Sequence, residues 1–552
     1  MGTPPPTQSA ALESGTHEQE GKRERSRLLA RAGVVGAGTL TSRVLGLVRD
    51  MALAALFDRD ATDAWWVAFT IPNALRQLLG EGAVSSAVIP VLSEKLAKDG
   101  DAGARVFFAR MRGVSLLALA VVTVLGVVYA RPLAVLFAGG YRTRAGEMDR
   151  TVSLTRAIFP YIFFMGTAAL GMAALNAKRR FAVAAFAPAL LNVALLAAAF
   201  TLPRFLGAHG YDAVLALAVG ALAGGFLQVA AQWPELRSIG YAGIPAFVLD
   251  EDVRKVLRRI VPLTMGVGVY YVDLVLSRRL LSGLGAGAQS YFSWAMRLCD
   301  FPQGIFVMAL STAALPSLST LAAKGAKGEL AKTWEHGMRL AMFVAIPASA
   351  ALLAIGEPIV VMLFQRGEFD ARAAHETARA LFWQGGAVWT VAAVRQTVPA
   401  FYALGDTRTP VIVSAVDLCA FIALALGLRA PMGHVGISVA VAGSSAVQMV
   451  LLLAGLKWRL REVRLRAVGR SAVRTLAASL AASWVGLTVA RLVASAAGAS
   501  AGARALPGLA GGIVFAVTFV VAARALRVEE LAEIVGALRR LRGSRWAKTA
   551  GL

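Results

Sequence analysis

Over 552 residues the chain is 57% apolar and only 16% charged, with a formal net charge of +24. A water-soluble chain of this length would divide into several domains with charged surfaces, and strand-period alternation is absent, so a soluble assembly and a β-barrel are both excluded. Apolar runs of about twenty residues recur instead, the mark of an all-α polytopic membrane protein, and the basic residues cluster between those runs as in cytoplasmic loops, which argues against nucleic acid as the partner.

Residues 1–28 are polar, with Pro4, Pro5 and Pro6 and a basic run over 22–27, and are expected to form a disordered cytoplasmic terminus. The first apolar segment is long, carries arginines and runs directly into a hairpin, so a cleaved signal peptide is not expected. Fourteen spans are predicted, at 29–57, 63–92, 106–138, 151–177, 181–203, 211–233, 254–281, 287–322, 333–365, 373–404, 409–428, 434–456, 472–496 and 506–526. They group as an N-lobe over 29–234, a C-lobe over 252–456 and an additional pair over 472–526, with a basic cytoplasmic tail over 527–552. Within that tail, Glu529–Leu541 reads as an amphipathic helix on the membrane surface. Alternate loops are the basic ones, which places both termini inside.

An internal repeat supports the two lobes. The stretch Ser85–Ser93 (SSAVIPVLS) matches Ser311–Ser319 (STAALPSLS), and each leads into a Lys- and Gly-containing loop. Ala174–Arg179 echoes Ala403–Arg408 at nearly the same separation. Parallel repeats of this kind build transporters whose two lobes rock around a central site, in a V-shaped cavity.

The hairpin from Thr41 to Leu92 carries Arg43, Arg49, Asp50, Asp63, Arg76 and Glu81 inside segments apolar enough to cross a bilayer. A charge at the centre of a membrane helix costs about 2.5–3.5 kcal/mol on insertion scales, so these groups need a partner, a cavity or a ligand. Arg43 and Asp50 share a helix face. Pro72 and Asn73 precede Arg76, and a proline inside a span frees a carbonyl and permits a gating kink. In the second half Arg297 stands just before Asp300 and Pro302. Arg43, Arg76 and Arg297 are therefore candidates for one cationic cavity, since a guanidinium fork suits a phosphate group. The alternative is internal pairing, Arg49 with Asp50, Arg76 with Glu81 and Arg297 with Asp300, or snorkelling at helix ends. Asp273 and Asp417 are candidates for a Na⁺ or H⁺ site, with Arg395 available to neutralise one of them.

Other chemistry has little support. Cys299 and Cys419 lie in apolar segments and are expected to be packed free thiols. The five histidines have no metal-ligand spacing, and no Walker loop is present. Gly283–Ala288 mimics a dinucleotide fingerprint in composition, but no strand precedes it. No cofactor, no resident metal and no enzymatic activity are expected.

Ser42–Asp50 (SRVLGLVRD), Thr62–Phe69 (TDAWWVAF), Pro72–Arg76 (PNALR), Glu81–Ala83 and Pro90–Leu92 closely resemble the MurJ (MviN) family of lipid II flippases. The likeness continues in Phe159–Tyr161, Phe186–Asn192, Arg297–Gly304, Leu363–Gly367 and Phe401–Pro410. It covers spans one to twelve. The family belongs to the multidrug/oligosaccharidyl-lipid/polysaccharide exporter superfamily, whose two six-helix lobes match the repeat. The resemblance implies that Arg43, Arg49, Arg76 and Arg297 are essential cavity residues and that Asp63 is functionally important. It also implies that the last two spans form a groove for the lipid tail. The chain departs from the family in having Val413, Phe421 and Ala425 around Asp417, where polar residues are common, and Met296 where an acid often precedes the arginine.

The expectation is a lipid II flippase of the inner membrane, working by alternating access without ATP. Arg43, Arg49, Arg76 and Arg297 would hold the diphosphate, and Ser42, Asp50, Asp63, Pro72, Asn73, Glu81 and Asp300 would organise or gate the site. Membrane potential, an ion gradient or both would drive it. Lipid II and membrane lipids are the expected partners, with a monomer that associates with the cell-wall synthesis machinery. The alternatives are an exporter of another lipid-linked oligosaccharide or of drugs, and a cell-wall scaffold that transports nothing.

Overall fold

The computed structural model describes residues 36–76, 83–266, 268–496, 498 and 500–536. Among these the secondary structure is helical throughout. The first helix, α1, covers 36–56. It is followed by α2 (Arg59–Arg76), α3 (Ala83–Lys98), α4 (Gly100–Val128), α5 (Ala130–Ala138), α6 (Glu147–Ile158), α7 (Tyr161–Ala177), α8 (Ala182–Ala208) and α9 (Leu215–Ser238). The second half contributes α10 (Glu251–Gly266), α11 (Gly268–Ser282), α12 (Ala288–Pro302), α13 (Met308–Ala323), α14 (Lys327–Ala354) and α15 (Gly356–Phe364). Then come α16 (Ala371–Gly386), α17 (Val388–Ala403), α18 (Arg408–Met432), α19 (His434–Arg459), α20 (Leu465–Ala496), α21 (Ala501–Ala525) and a short α22 over 529–536.

Among the described residues nine helices are long and apolar enough to cross a membrane unaided. Several of the predicted spans are interrupted. The 106–138 segment breaks after Val128, where α5 begins, and leads into a 3₁₀ turn over Gly139–Thr143. The 287–322 segment is α12 and α13 joined by a π-helical stretch, Gln303–Val307, directly after Pro302. A proline cannot donate to the helical ladder and its ring crowds the preceding turn, so the wider π winding takes up the mismatch. The 333–365 and 373–404 segments break at Ile355 and Ala387. Broken helices at membrane depth are tolerated where protein or a water-filled cavity shields the backbone.

The chain divides into two compact units that cut across its two sequence halves. One contains the described residues up to Arg49, Pro72–Val128 and Arg156–Thr264; the other contains Asp50–Ile71, Tyr129–Thr155 and the chain from Met265 onward. The first unit is centred on Val88, Leu92, Phe107, Phe108, Met111 and Leu170, all nearly inaccessible. Beyond the end of the predicted second span, acids and bases fasten α3 to the start of α10. Glu94 pairs with Lys255 at 2.9 Å and Lys98 at 3.0 Å, and Lys95 pairs with Asp252 at 2.9 Å. The hydrogen bond from Lys255, then that from Lys98, pulls the Glu94 carboxyl down to about 2.

In the second unit the last two long helices pack through small residues. Ala478, Ala482, Gly486 and Ala490 line α20, and Gly486 and Gly511 bring the backbones of α20 and α21 close together. Without a hydrophobic force between helices in lipid, this close approach is what holds such a pair. Beside α20, residues of α14, α17 and α19 complete an apolar cavity of 730 Å³ that includes Trp334, Met338, Trp389 and Leu476. The tail helix is tied to the second unit by side-chain bonds. Its described part is fastened by acids, with Glu529 and Glu530 on Arg339, Glu530 also accepting from Ser471 Oγ at 2.8 Å, and Glu533 meeting His336 at 3.0 Å. Residues 537–541 lie outside the described chain. Cys299 is buried, whereas Cys419 is exposed on α18, because its position faces outward from the helix.

Candidate functional site

In the first unit the arginines of the hairpin lie on α1 and at the end of α2. Arg49 is 6% exposed and its Nη1 donates to Asn192 Oδ1 at 2.9 Å. Asn192, on α8, turns its Nδ2 to the Ser42 carbonyl at 2.9 Å. One neutral amide therefore orients Arg49 and fixes the α1 backbone beside Arg43. Arg43 is half-buried, and its Nε is shielded from solvent with no hydrogen-bond partner. Arg76 Nε donates to Asn73 Oδ1 at 3.0 Å, one turn back and directly after Pro72. Glu81 lies outside the described residues, as does any pairing of it with Arg76.

The second unit holds the acids. Asp50 is 2% exposed and lies 3.1 Å from Arg297 Nε. Arg297 is thus paired with an acid from α1, in place of the expected contest between Asp300 and a ligand. Its guanidinium also lies over the Trp66 ring, 5.6 Å from the centroid, and its side chain keeps 37% exposure. A second guanidinium, Arg278, covers Trp66 at 5.8 Å while donating to Gln289 Oε1 and Ser293 Oγ. Asp300 is half-buried one turn beyond Arg297.

Asp63 has no exposed surface and is saturated with donors. It accepts from the Gly287 N–H and the Ser290 N–H, each at 2.8 Å, and from Ser290 Oγ at 2.7 Å, with Arg144 Nη1 at 3.5 Å. The donors are the first amides of α12, which no helical carbonyl can satisfy, and a carboxylate at that end also meets the positive helix pole. Gly287 must be glycine. Its φ is +88°, and a Cβ there would lie 2.4 Å from the Tyr291 ring. The Gly-rich run that mimics a nucleotide loop is thus a turn that presents amides to an acid.

Further bonds join the same segments. Arg144 pairs with Asp60, and Arg59 with Asp370. Arg279 Nη1 donates to the Val135 carbonyl at 2.8 Å, and the Gly140 N–H donates to Ser282 Oγ at 3.0 Å. Glu368 N–H reaches the Ala55 carbonyl at 3.0 Å, and Gly367 passes so close that a Cβ would lie 2.0 Å from that oxygen. Sequence reading missed Asn192, Arg144, Arg278 and Ser290, because their partners lie far away in the chain and no local pattern announces them.

Asp273 on α11 and Asp417 on α18 interact electrostatically, and the nearby Ser444 Oγ of α19 donates to the Val441 carbonyl at 3.3 Å. Asp417 Oδ1 is shielded and has no partner. Val413, Phe421 and Ala425 are buried on the same helix, and the other acid comes from α11. Among the described residues no cluster of three or more His, Cys, Asp or Glu side chains is placed to hold a metal.

Helices of this length and apolarity, with broken spans and charges buried at depth, define a polytopic membrane transporter. The family model for the lipid II flippase MurJ matches residues 53–500. A probable lipid II flippase MurJ of Bdellovibrio bacteriovorus is 34% identical over 84% of this chain and 88% of its own. The lipid II flippase MurJ of Burkholderia cenocepacia is 34% identical over 77% and 83%. The chain belongs to the MurJ lipid II flippase family, whose members are transporters and not enzymes. Its fold is similar to that of a MurJ structure in an inward closed conformation, with a TM-score of 0.71 at 21% identity over 89% of this chain and 99% of that one. An inward-facing multidrug transporter of the MATE family shares the architecture at a TM-score of 0.60, with 13% identity over 78% and 96%.

Proposed function

We propose that this protein is a multi-pass lipid II flippase of the inner membrane, with both termini inside, that carries lipid II from the inner to the outer leaflet by alternating access. The observation that carries the reading is Arg43. Its shielded Nε has no hydrogen-bond partner, beside an Arg49 that Asn192 holds in place. An incompletely satisfied cation at membrane depth is costly and functional by default, and a diphosphate supplies what it lacks. Arg76 and Arg297 complete the anion site, while Ser42 and Asn73 orient its arginines. Arg297 has Asp50 as its resting partner and exchanges it for the ligand.

The lobes over 29–234 and 252–456 move against each other, with Pro72 and Glu81 as gating residues. Asp63 and the bonds around it act as a gate. The apolar cavity beside α20 is suited to part of the polyprenyl tail, next to the pair over 472–526. Each negative charge leaving a negative-inside cell gains about 2.3 kcal/mol per 100 mV, so a dianionic headgroup gains about twice that and needs no nucleotide. Asp273 and Asp417 then serve as a site for Na⁺ or H⁺ that resets the carrier. The protein acts as a monomer alongside the cell-wall synthesis machinery.

The test is complementation in cells depleted of their own lipid II flippase, at matched membrane levels. Rescue by wild type and failure of Arg43→Ala and Arg297→Ala is the expected result. Rescue by all three removes the cationic site, and no rescue by an inserted wild type moves the substrate to another lipid-linked oligosaccharide.

A further inference from the structure

We infer that a second, smaller anion site lies among α4, α7 and α9, built by Arg112 and Gln232 for a monatomic anion such as chloride. Arg112 is 7% exposed, on α4. Its Nη1 donates to the Tyr241 carbonyl at 3.0 Å, and its guanidinium lies 5.9 Å from the Trp233 ring centroid. Both partners are neutral. No acid lies within ion-pair distance of it among the described residues, and its Nε is shielded and makes no hydrogen bond. Gln232, on α9, is 1% exposed, and neither its Nε2 nor its Oε1 has a partner.

Both residues line a cavity of 30 Å³, with Phe108, Thr167 and Gly171. Thr167 Oγ1 is already committed to the Phe163 carbonyl at 2.7 Å. Gln232 Oε1 occupies the space a side chain at Gly171 would fill, only 2.4 Å from the position of a Cβ there. The oxygen thus rests against a bare Cα, and the amide nitrogen remains for the cavity.

The chemistry selects the occupant. Two unsatisfied donors, one of them cationic, converge on a space that holds one or two waters by volume. A water satisfies the donors but leaves the buried charge uncompensated, and a buried charge without a counter-ion is strongly destabilising. A phosphate or carboxylate headgroup is too large for the space. A single halide meets both demands. It would neutralise Arg112 where α9 leads into the connector before α10, stiffening one end of the first unit. The site is separate from the arginines of the hairpin and does not depend on the flippase reading.

The experiment uses the full-length protein in detergent. Its thermal midpoint is measured in chloride, bromide and gluconate at fixed ionic strength, for wild type, Arg112→Met and Arg43→Ala. The expected result is a lower midpoint in gluconate for wild type and Arg43→Ala, and loss of that difference in Arg112→Met. A difference that persists in Arg112→Met, or no difference in wild type, overturns the site. Where Arg112→Met does not fold, anomalous scattering from bromide-grown crystals of wild type decides. Bromide between Arg112 and Gln232 supports the site, and an ordered water there overturns it.

Discussion

Asp63 and Arg43 are both charged, both predicted from the same hairpin and both set into apolar helices, yet the structure treats them in opposite ways. Asp63 is sealed and receives three hydrogen bonds, two from amides that α12 would otherwise leave unpaired. Arg43 is half-buried with a shielded nitrogen that has nothing to bond. A buried charge whose bonding capacity is filled by its own chain holds segments together. A charge whose capacity is left open is waiting for something that arrives. On the proposed function, the two residues thus separate the gate from the binding site.

The largest way to break this contrast is Asp63→Ala. It strands two amides and a hydroxyl, and breaking a buried, bonded charge costs about 3–5 kcal/mol. The closed arrangement of 50–71 against α12 should be lost, with greatly increased maleimide labelling of a single cysteine placed at Thr62, and complementation should fail. Unchanged labelling would make Asp63 a local structural residue without a gating role.

Next is the amide that organises the other site. Asn192→Ala removes the acceptor for Arg49 and the donor to the Ser42 carbonyl, leaving buried polar groups unsatisfied at about 1–3 kcal/mol. The thermal midpoint should fall, whereas Arg43→Ala should leave it nearly unchanged and abolish rescue. Equal destabilisation by both would erase the distinction between a positioning amide and a ligand-seeking cation.

Gly287→Ala sharpens the gate more gently. A positive φ and a Cβ 2.4 Å from the Tyr291 ring should cost about 1–3 kcal/mol, read as partial opening in the same labelling assay. Wild-type labelling would mean the turn relaxes without moving its amides.

The smallest effect is expected at the clasp between α3 and α10. The Glu94 carboxyl is held at about 2, below its ordinary value of 4.5, by Lys255 and then Lys98. A depressed carboxyl contributes stability that is complete above its ordinary value and is lost as pH falls from there through about 2. Glu94→Gln should therefore lower the melting midpoint modestly at neutral pH, flatten the acid limb of the profile between those values and leave the midpoint near pH 2 unchanged.

Much of the fold was legible because helix-length apolar runs and the placement of basic residues are local signals. The breaks were not. Pro302 marks one of them, but the π winding after it depends on how α12 and α13 are packed. The arginines were legible because cations in apolar helices stand out. Their partners were hidden: Asn192 lies 143 positions from Arg49 and Ser290 lies 227 from Asp63, and nothing local links them. The Gly283–Ala288 run stood out only as a false likeness to a nucleotide loop, and its task of presenting amides required the acid to be seen beside it. The cation site shows the same limit. Val413, Phe421 and Ala425 suggested an apolar α18, while the acid that Asp417 interacts with, Asp273, comes from α11.

The most direct test of the central claim is to measure binding of a polyprenyl diphosphate and the matching monophosphate to the purified protein by native mass spectrometry, in wild type, Arg43→Ala and Asn192→Ala. The account predicts that wild type prefers the diphosphate and that Arg43→Ala loses that preference at unchanged stability. Asn192→Ala should weaken binding together with the fold. Undiminished diphosphate preference in Arg43→Ala would contradict the claim that its unfilled bonding capacity is the binding site.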